Sequence, residues 1–170
     1  MNKYHGWLRT IHWLMFVLFA VIFVFGVVMT EFKECCEPWG MYDFHKATGV
    51  LVFLLVLIRL VVRKKTTIPP HPDYVTQIQH YIAQSVVHLL YLLMIIVPIS
   101  GYALSNVHGH HVSFYGLELP MLFPESPEWE GITSSLHYYF TYSFLGIFAL
   151  HMIGVIKHHI DNKDILSRIT

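Results

Sequence analysis

Charged residues are scarce in this sequence, 13% of 170, against about a quarter in an ordinary soluble domain. A chain so poor in charge cannot clothe itself in a solvated surface, which disfavours a water-soluble domain. Basic and acidic residues number 11 each, and this balance removes the positive field on which nucleic-acid binding depends. Cysteine is nearly absent. The only two, Cys35 and Cys36, are neighbours; with no CxxC or CxxCH there is neither a thioredoxin-like dithiol nor a covalent haem-attachment site. The sequence also lacks a phosphate loop, a nucleophile elbow and any internal repeat, so soluble-type catalysis has no foothold.

What the chain has in excess is apolar length. Hydrophobic residues make up 55%, gathered into four stretches at approximately 7–29, 44–62, 82–104 and 133–156. Each is close to the roughly 20 residues that a helix needs to cross a bilayer core. Short polar or Pro-containing segments join them. The expectation is a single all-α transmembrane domain over residues 1–170, folded as an integral membrane four-helix up-down bundle in the lipid bilayer. The first apolar run is too long for the core of a signal peptide and has no small-x-small cleavage site, so it is expected to remain a span. No Asp or Glu falls inside the four stretches, which argues against a metal-transport path lined by carboxylates.

Charge sets the orientation. Lys3, Arg9, Arg59, Arg63, Lys64, Lys65, Lys157, Lys163 and Arg168 lie toward one side, and only Lys33 and Lys46 toward the other. The positive-inside rule then places both termini and the 63–81 connection in the cytoplasm of a bacterial inner-membrane protein. The opposite, periplasmic side carries Glu31, Glu34, Glu37, Asp43, Glu118, Glu125, Glu128 and Glu130. The 105–132 segment on that side, rich in Pro, Gly and aromatics, is expected to cap the bundle. Cys35 and Cys36 fall where disulfides are permitted; a bridge between neighbours is strained, so an intermolecular bond or two free thiols stand beside it as alternatives.

Thirteen histidines require a reason. Five fall inside the spans: His12, His45, His88, His137 and His151. A single intramembrane histidine can be satisfied by a neighbouring backbone or hydroxyl group, but five in four short helices point to function. His12 and His151 lie near the cytoplasmic ends of their spans, His45 and His137 near the periplasmic ends. Facing imidazoles in an apolar interior are suited to the axial positions of haem b. His137 and His151 are 14 residues apart, a rotation within about 40° of whole turns and a rise of about 21 Å. One helix face therefore presents ligands at two heights, and two haem b are expected in the bundle core. His88 has a depth similar to His12, so depth alone allows either as the partner of His151.

Other residues join these two levels. Gly26 lies 14 residues after His12, where a ring edge would need room, and Gly49 one turn after His45 is expected to serve likewise. Arg59, 14 residues after His45, can pair with a haem propionate or snorkel to the interface. His158 and His159, where the fourth span leaves the membrane, and His88 are candidates for quinone binding or proton relay. His108, His110 and His111 form a loop cluster that could bind a metal or attract an anion; solvated loop histidines are the plainer reading.

At these residues the chain resembles the prokaryotic cytochrome b561 family. The pieces are "IHW" at 11–13, "HKATG" at 45–49, "HLLYLLMIIVPISG" at 88–101 and "LHYYFTYSFLGIFALHMIGVIKHH" at 136–159. Their order and spacing cover nearly the whole chain. The resemblance implies a di-haem inner-membrane protein of the respiratory chain type, with His12 and His151 around the cytoplasmic-side haem and His45 and His137 around the periplasmic-side one. It extends to superoxide oxidases, which implies a superoxide:ubiquinone oxidoreductase. Lys33, Lys46 and the loop histidines could steer the superoxide anion, although the acidic periplasmic loops oppose it. The alternative is a cytochrome b membrane-anchor subunit that carries electrons from a periplasmic dehydrogenase or hydrogenase to quinone.

Overall fold

The computed structural model describes residues 3–31, 39–70, 72 and 74–170; Lys33, Glu34, Cys35, Cys36 and Glu37, expected on the periplasmic side, lie outside them. Four long helices account for most of the chain: α1 (Gly6–Glu31), α2 (Trp39–Lys65), α3 (Gln77–Val107) and α4 (Glu130–Ile160). Among the described residues these four are long and apolar enough to cross a membrane. Each helix outruns its apolar stretch by several residues. Hydropathy marks only the part that belongs in hydrocarbon, whereas backbone hydrogen bonding continues into the polar flanks.

The helix ends show why. At the start of α3, Thr76 and Gln79 cap each other reciprocally: the Gln79 amide donates to Thr76 Oγ1 and the Thr76 amide to Gln79 Oε1, which fixes the entry into the helix. Arg63, Lys64 and Lys65 close α2, and Lys157, His158 and His159 close α4, where cationic groups complement the helix dipole. Pro98 lies inside α3 and removes one donor from its ladder.

The helices pack in chain order, α1 on α2, α2 on α3 and α3 on α4. A small buried cluster of Ile11, Met15 and Val56 fills the end of the bundle that carries both termini. Elsewhere the interior is open. A cavity of about 2690 Å³ runs between the helices, well beyond the roughly 300–1,000 Å³ of an ordinary ligand pocket. Its outer walls are helix faces whose apolar residues, such as Val17, Leu92 and Ile153, are exposed, as suits contact with lipid.

The opposite end is covered by residues 108–126. Within them, β1 (Ser113–Phe114) and β2 (Leu117–Glu118) pair antiparallel across Tyr115 and Gly116, both at positive φ (48° and 97°), as a tight two-residue hairpin turn requires. The Tyr115 hydroxyl is 3.2 Å from Thr48 Oγ1 on α2. Fully buried Asn106 ties the cover down: its side-chain carbonyl accepts from the Leu122 and Phe123 amides, and its amide donates to the His110 carbonyl. At the terminal end a short turn, Leu166–Arg168, folds back over the bundle. Arg168 donates to the Pro70 carbonyl, and the Trp13 indole donates to the Ile169 carbonyl.

Candidate functional site

The cavity is lined by His12 on α1, His45 and Arg59 on α2, His88 on α3, and His137 and His151 on α4. All five intramembrane histidines therefore border one space. They occupy two levels, one below the hairpin cover and one near the termini.

At the cover level, His45 and His137 face each other across the interior. Their ring centres are 6.4 Å apart and their planes are nearly perpendicular, at 87°. His45 Nδ1–H donates to the Ile22 carbonyl at 3.0 Å. His137 Nδ1–H donates to Ser100 Oγ at 3.0 Å, and that hydroxyl in turn donates to the Val97 carbonyl at 2.8 Å. With Nδ1 protonated on both rings, each Nε2 is a free acceptor, and neither has a hydrogen-bond partner among the described residues. Two glycines make room for the rings. A Cβ on Gly26 would come within 3.0 Å of His45 Cε1, and one on Gly101 within 2.9 Å of His137 Cε1. Gly49 is different, because its Cβ would meet only Ile22, at an ordinary 3.6 Å; it clears no space for a histidine.

The terminal level is built around a cation. Arg59 turns inward instead of reaching for the interface: Nε donates to the Tyr91 hydroxyl and one terminal nitrogen to the Leu8 carbonyl, both at 2.9 Å. The other terminal nitrogen lies 3.4 Å from His12 Nδ1. His151 is within electrostatic reach of both Arg59 and His12. His88 borders the same cavity but is exposed and makes no hydrogen bond among the described residues. Between the levels, Phe19 stacks on Phe144, with ring centres 4.7 Å apart. Phe144 is seven residues from both His137 and His151, so the stack marks the middle of the bundle.

The sequence model of prokaryotic cytochrome b561 matches residues 3–170. The chain belongs to the prokaryotic cytochrome b561 family. Individual relatives are distant. Cytochrome b561 homolog 2 of Escherichia coli (strain K12) is 28% identical over 164 residues, 93% of this chain and 86% of the relative. Cytochrome b561 homolog 1 of the same organism is 23% identical over 172 residues, 96% and 94% of the two chains. A probable superoxide oxidase, CybB, of Yersinia pestis is 22% identical over 165 residues, 96% and 93%. Membership makes this cytochrome b561 protein a multi-pass membrane electron-transfer protein of a family that binds haem b.

The cover level fits that group. An imidazole nitrogen binds a first-row metal such as zinc at about 2.0–2.1 Å; adding about 1.1 Å from nitrogen to ring centre on each side gives a span of roughly 6.3 Å. The 6.4 Å between His45 and His137 matches it. Their Nδ1 hydrogen bonds to fixed acceptors are what a metal-binding imidazole needs to keep its orientation. At the terminal level the fit lies in the donor set, with two imidazoles beside a guanidinium that can meet a carboxylate. Beyond its bonds to Tyr91 and Leu8, three of the five guanidinium N–H donors remain.

The remaining candidates separate. His158 borders the cavity, and its Nδ1 is buried without a hydrogen-bond partner; His159 is exposed and lies outside the lining. His108 donates from Nδ1 to the Leu104 carbonyl and lies 3.9 Å from Glu130. His110 and His111 are exposed at the cavity rim. Among the described residues no group of three or more His, Cys, Asp or Glu side chains is placed to hold a metal ion. Ser100 and Gly101 were not anticipated from the sequence. A serine and a glycine in an apolar span carry no signal of their own, and α3 attracts notice only through His88.

Proposed function

We propose that this cytochrome b561 protein binds two haem b, one between His45 and His137 and one between His12 and His151, and works as a superoxide:ubiquinone oxidoreductase. The observation that carries the reading is the 6.4 Å separation of the His45 and His137 rings with both Nδ1 atoms already engaged. Haem b, when bound, supplies reversible one-electron chemistry. Everything else falls to the chain. In the proposed orientation the termini are cytoplasmic and the hairpin cover is periplasmic, following the basic residues at the terminal end.

Overall, two superoxide anions each give up one electron and leave as dioxygen, while ubiquinone takes up those two electrons and two protons. Lys46 supplies positive charge, and His110 and His111 polar imidazoles, at the cavity lining, where an anion is drawn to the periplasmic rim. Ser100 and the Ile22 carbonyl keep the upper imidazoles in register. Arg59 would hold a carboxylate of the lower group. His158, with its unengaged Nδ1 at the cytoplasmic mouth, takes a proton from that side and passes it to the quinone.

The second reading, an anchor subunit for a periplasmic dehydrogenase or hydrogenase, is favoured by one observation: Glu118 and Glu125 are exposed on the cover and Glu128 just after it, a surface better suited to a basic protein than to an anion. One experiment separates the two. The purified protein is exposed to a superoxide-generating system with and without a short-chain ubiquinone, and its α-band is followed. Reduction that superoxide dismutase abolishes and quinone reverses supports the first reading. A protein that dithionite reduces but superoxide does not, recovered with a dehydrogenase subunit, would overturn it in favour of the second.

A further inference from the structure

The two levels differ in the charge that the protein sets against them. At the periplasmic level both imidazoles donate their Nδ1 hydrogens, His45 to a backbone carbonyl and His137 to a hydroxyl that is itself oriented by a second carbonyl. Hydrogen bonds of this kind make an imidazole more basic and a stronger electron donor to iron, which favours the oxidised metal. The nearest cation in sequence, Lys46, has Asp43 to offset it.

At the cytoplasmic level the arrangement is reversed. His12 Nδ1 faces no acceptor. It faces a guanidinium at 3.4 Å, a cationic group that carries donors and no acceptor. Among the described residues no carboxylate pairs with Arg59. Its other partners, the Tyr91 hydroxyl and the Leu8 carbonyl, are neutral. A second guanidinium, Arg63, lies over the same Tyr91 ring, 6.0 Å from its centre, as does Arg59. A fixed positive charge in a poorly screened interior disfavours further positive charge nearby and so favours reduced iron. The carboxylates that haem b brings are the same at both levels and do not distinguish them.

We infer that the charge of Arg59, set beside His12, makes the cytoplasmic level the better electron acceptor of the two, so that an electron entering beneath the hairpin cover passes downhill to the side where quinone is reduced. This rests on the two-haem reading above and deepens it. Arg59 is then a positioning and tuning residue, and its conformation, drawn inward by Leu8 and Tyr91, is what fixes the direction of flow. Each electron leaves superoxide at the periplasmic level and moves one level inward; two such transfers, with two protons from the cytoplasmic side, complete one quinone.

Redox titration of the purified holoprotein tests this, with haem content measured on the same samples. The wild type is expected to titrate in two waves, and His151→Ala to lose the higher one. Arg59→Gln should move the higher wave down toward the lower and leave the lower in place, while Arg59→Lys, which keeps the charge, should retain most of the separation. If Arg59→Gln does not retain its cytoplasmic haem, the wild-type assignment and Arg59→Lys still decide the matter. Loss of the higher wave from His137→Ala, or an unmoved higher wave in Arg59→Gln, would overturn the inference while leaving two haems per chain intact. Fewer than two haems in the wild type would instead remove the reading on which it rests.

Discussion

Replacing His137 by alanine is expected to halve the haem content, from two per chain to one, with the surviving haem at the terminal level. The reason is geometric. His137 supplies one of two imidazoles 6.4 Å apart; of the cover histidines, His108 bonds to the Leu104 carbonyl and lies against Glu130, and His110 and His111 are exposed at the rim. The levels are separated by two helical turns on either side of the Phe19–Phe144 stack, so loss at one should not spread to the other. His151→Ala should also leave one haem, at the cover level, and the double variant none. His88→Ala should keep both, whereas His12→Ala should lose the terminal-level one. A pyridine haemochrome assay on each variant reads these outcomes. Loss of both haems from a folded His137→Ala protein would show that the levels are not independent sites.

Gly101→Val is expected to have nearly the same effect without touching a ligand. Even a Cβ at this position would stand 2.9 Å from His137 Cε1, and the ring cannot swing away without giving up its bond to Ser100. Overpacking of this kind costs about 1–3 kcal/mol. Here the cost falls on the ring, which is pushed out of line with His45. The cover-level haem should be lost or bound much more weakly, with the helix itself no worse off, since glycine is about 1 kcal/mol poorer than alanine as a helix former in water. Gly26→Val, against His45 at 3.0 Å, should behave alike. Gly49→Ala, with only Ile22 in ordinary contact, is the control and should keep two haems. A Gly101→Val protein with full haem content and an unchanged spectrum would mean that the glycine does not guard the ring.

Much of this organisation is legible in the chain because a membrane simplifies the reading. Apolar runs report spans directly, and charged residues between them are few enough to be sorted by side. The 14-residue spacing of His137 and His151 places both on one face of α4 by helical geometry alone. What was not legible depends on contacts between helices. Arg59 could be drawn toward a cofactor or toward the interface; only the packing of α1 and α3 around it shows that Leu8 and Tyr91 turn it inward. Gly26 was picked out because its period matched that of a histidine on the same helix. Gly101 performs the same service for a histidine on a different helix, and no spacing within α3 could announce it. At the turn of the cover only Gly116 suits its positive φ, while Tyr115 is a bulky residue held at φ 48°, and the anchoring on Asn106 joins residues 16 and 17 positions apart; neither has a local signature.

The most direct test of the central claim is the haem stoichiometry of the unaltered protein. Purified from cells supplied with ample iron, and assayed by pyridine haemochrome against protein mass, it should contain two haem b per chain. One per chain would contradict the assignment of two ligand pairs, and a colourless protein would contradict both.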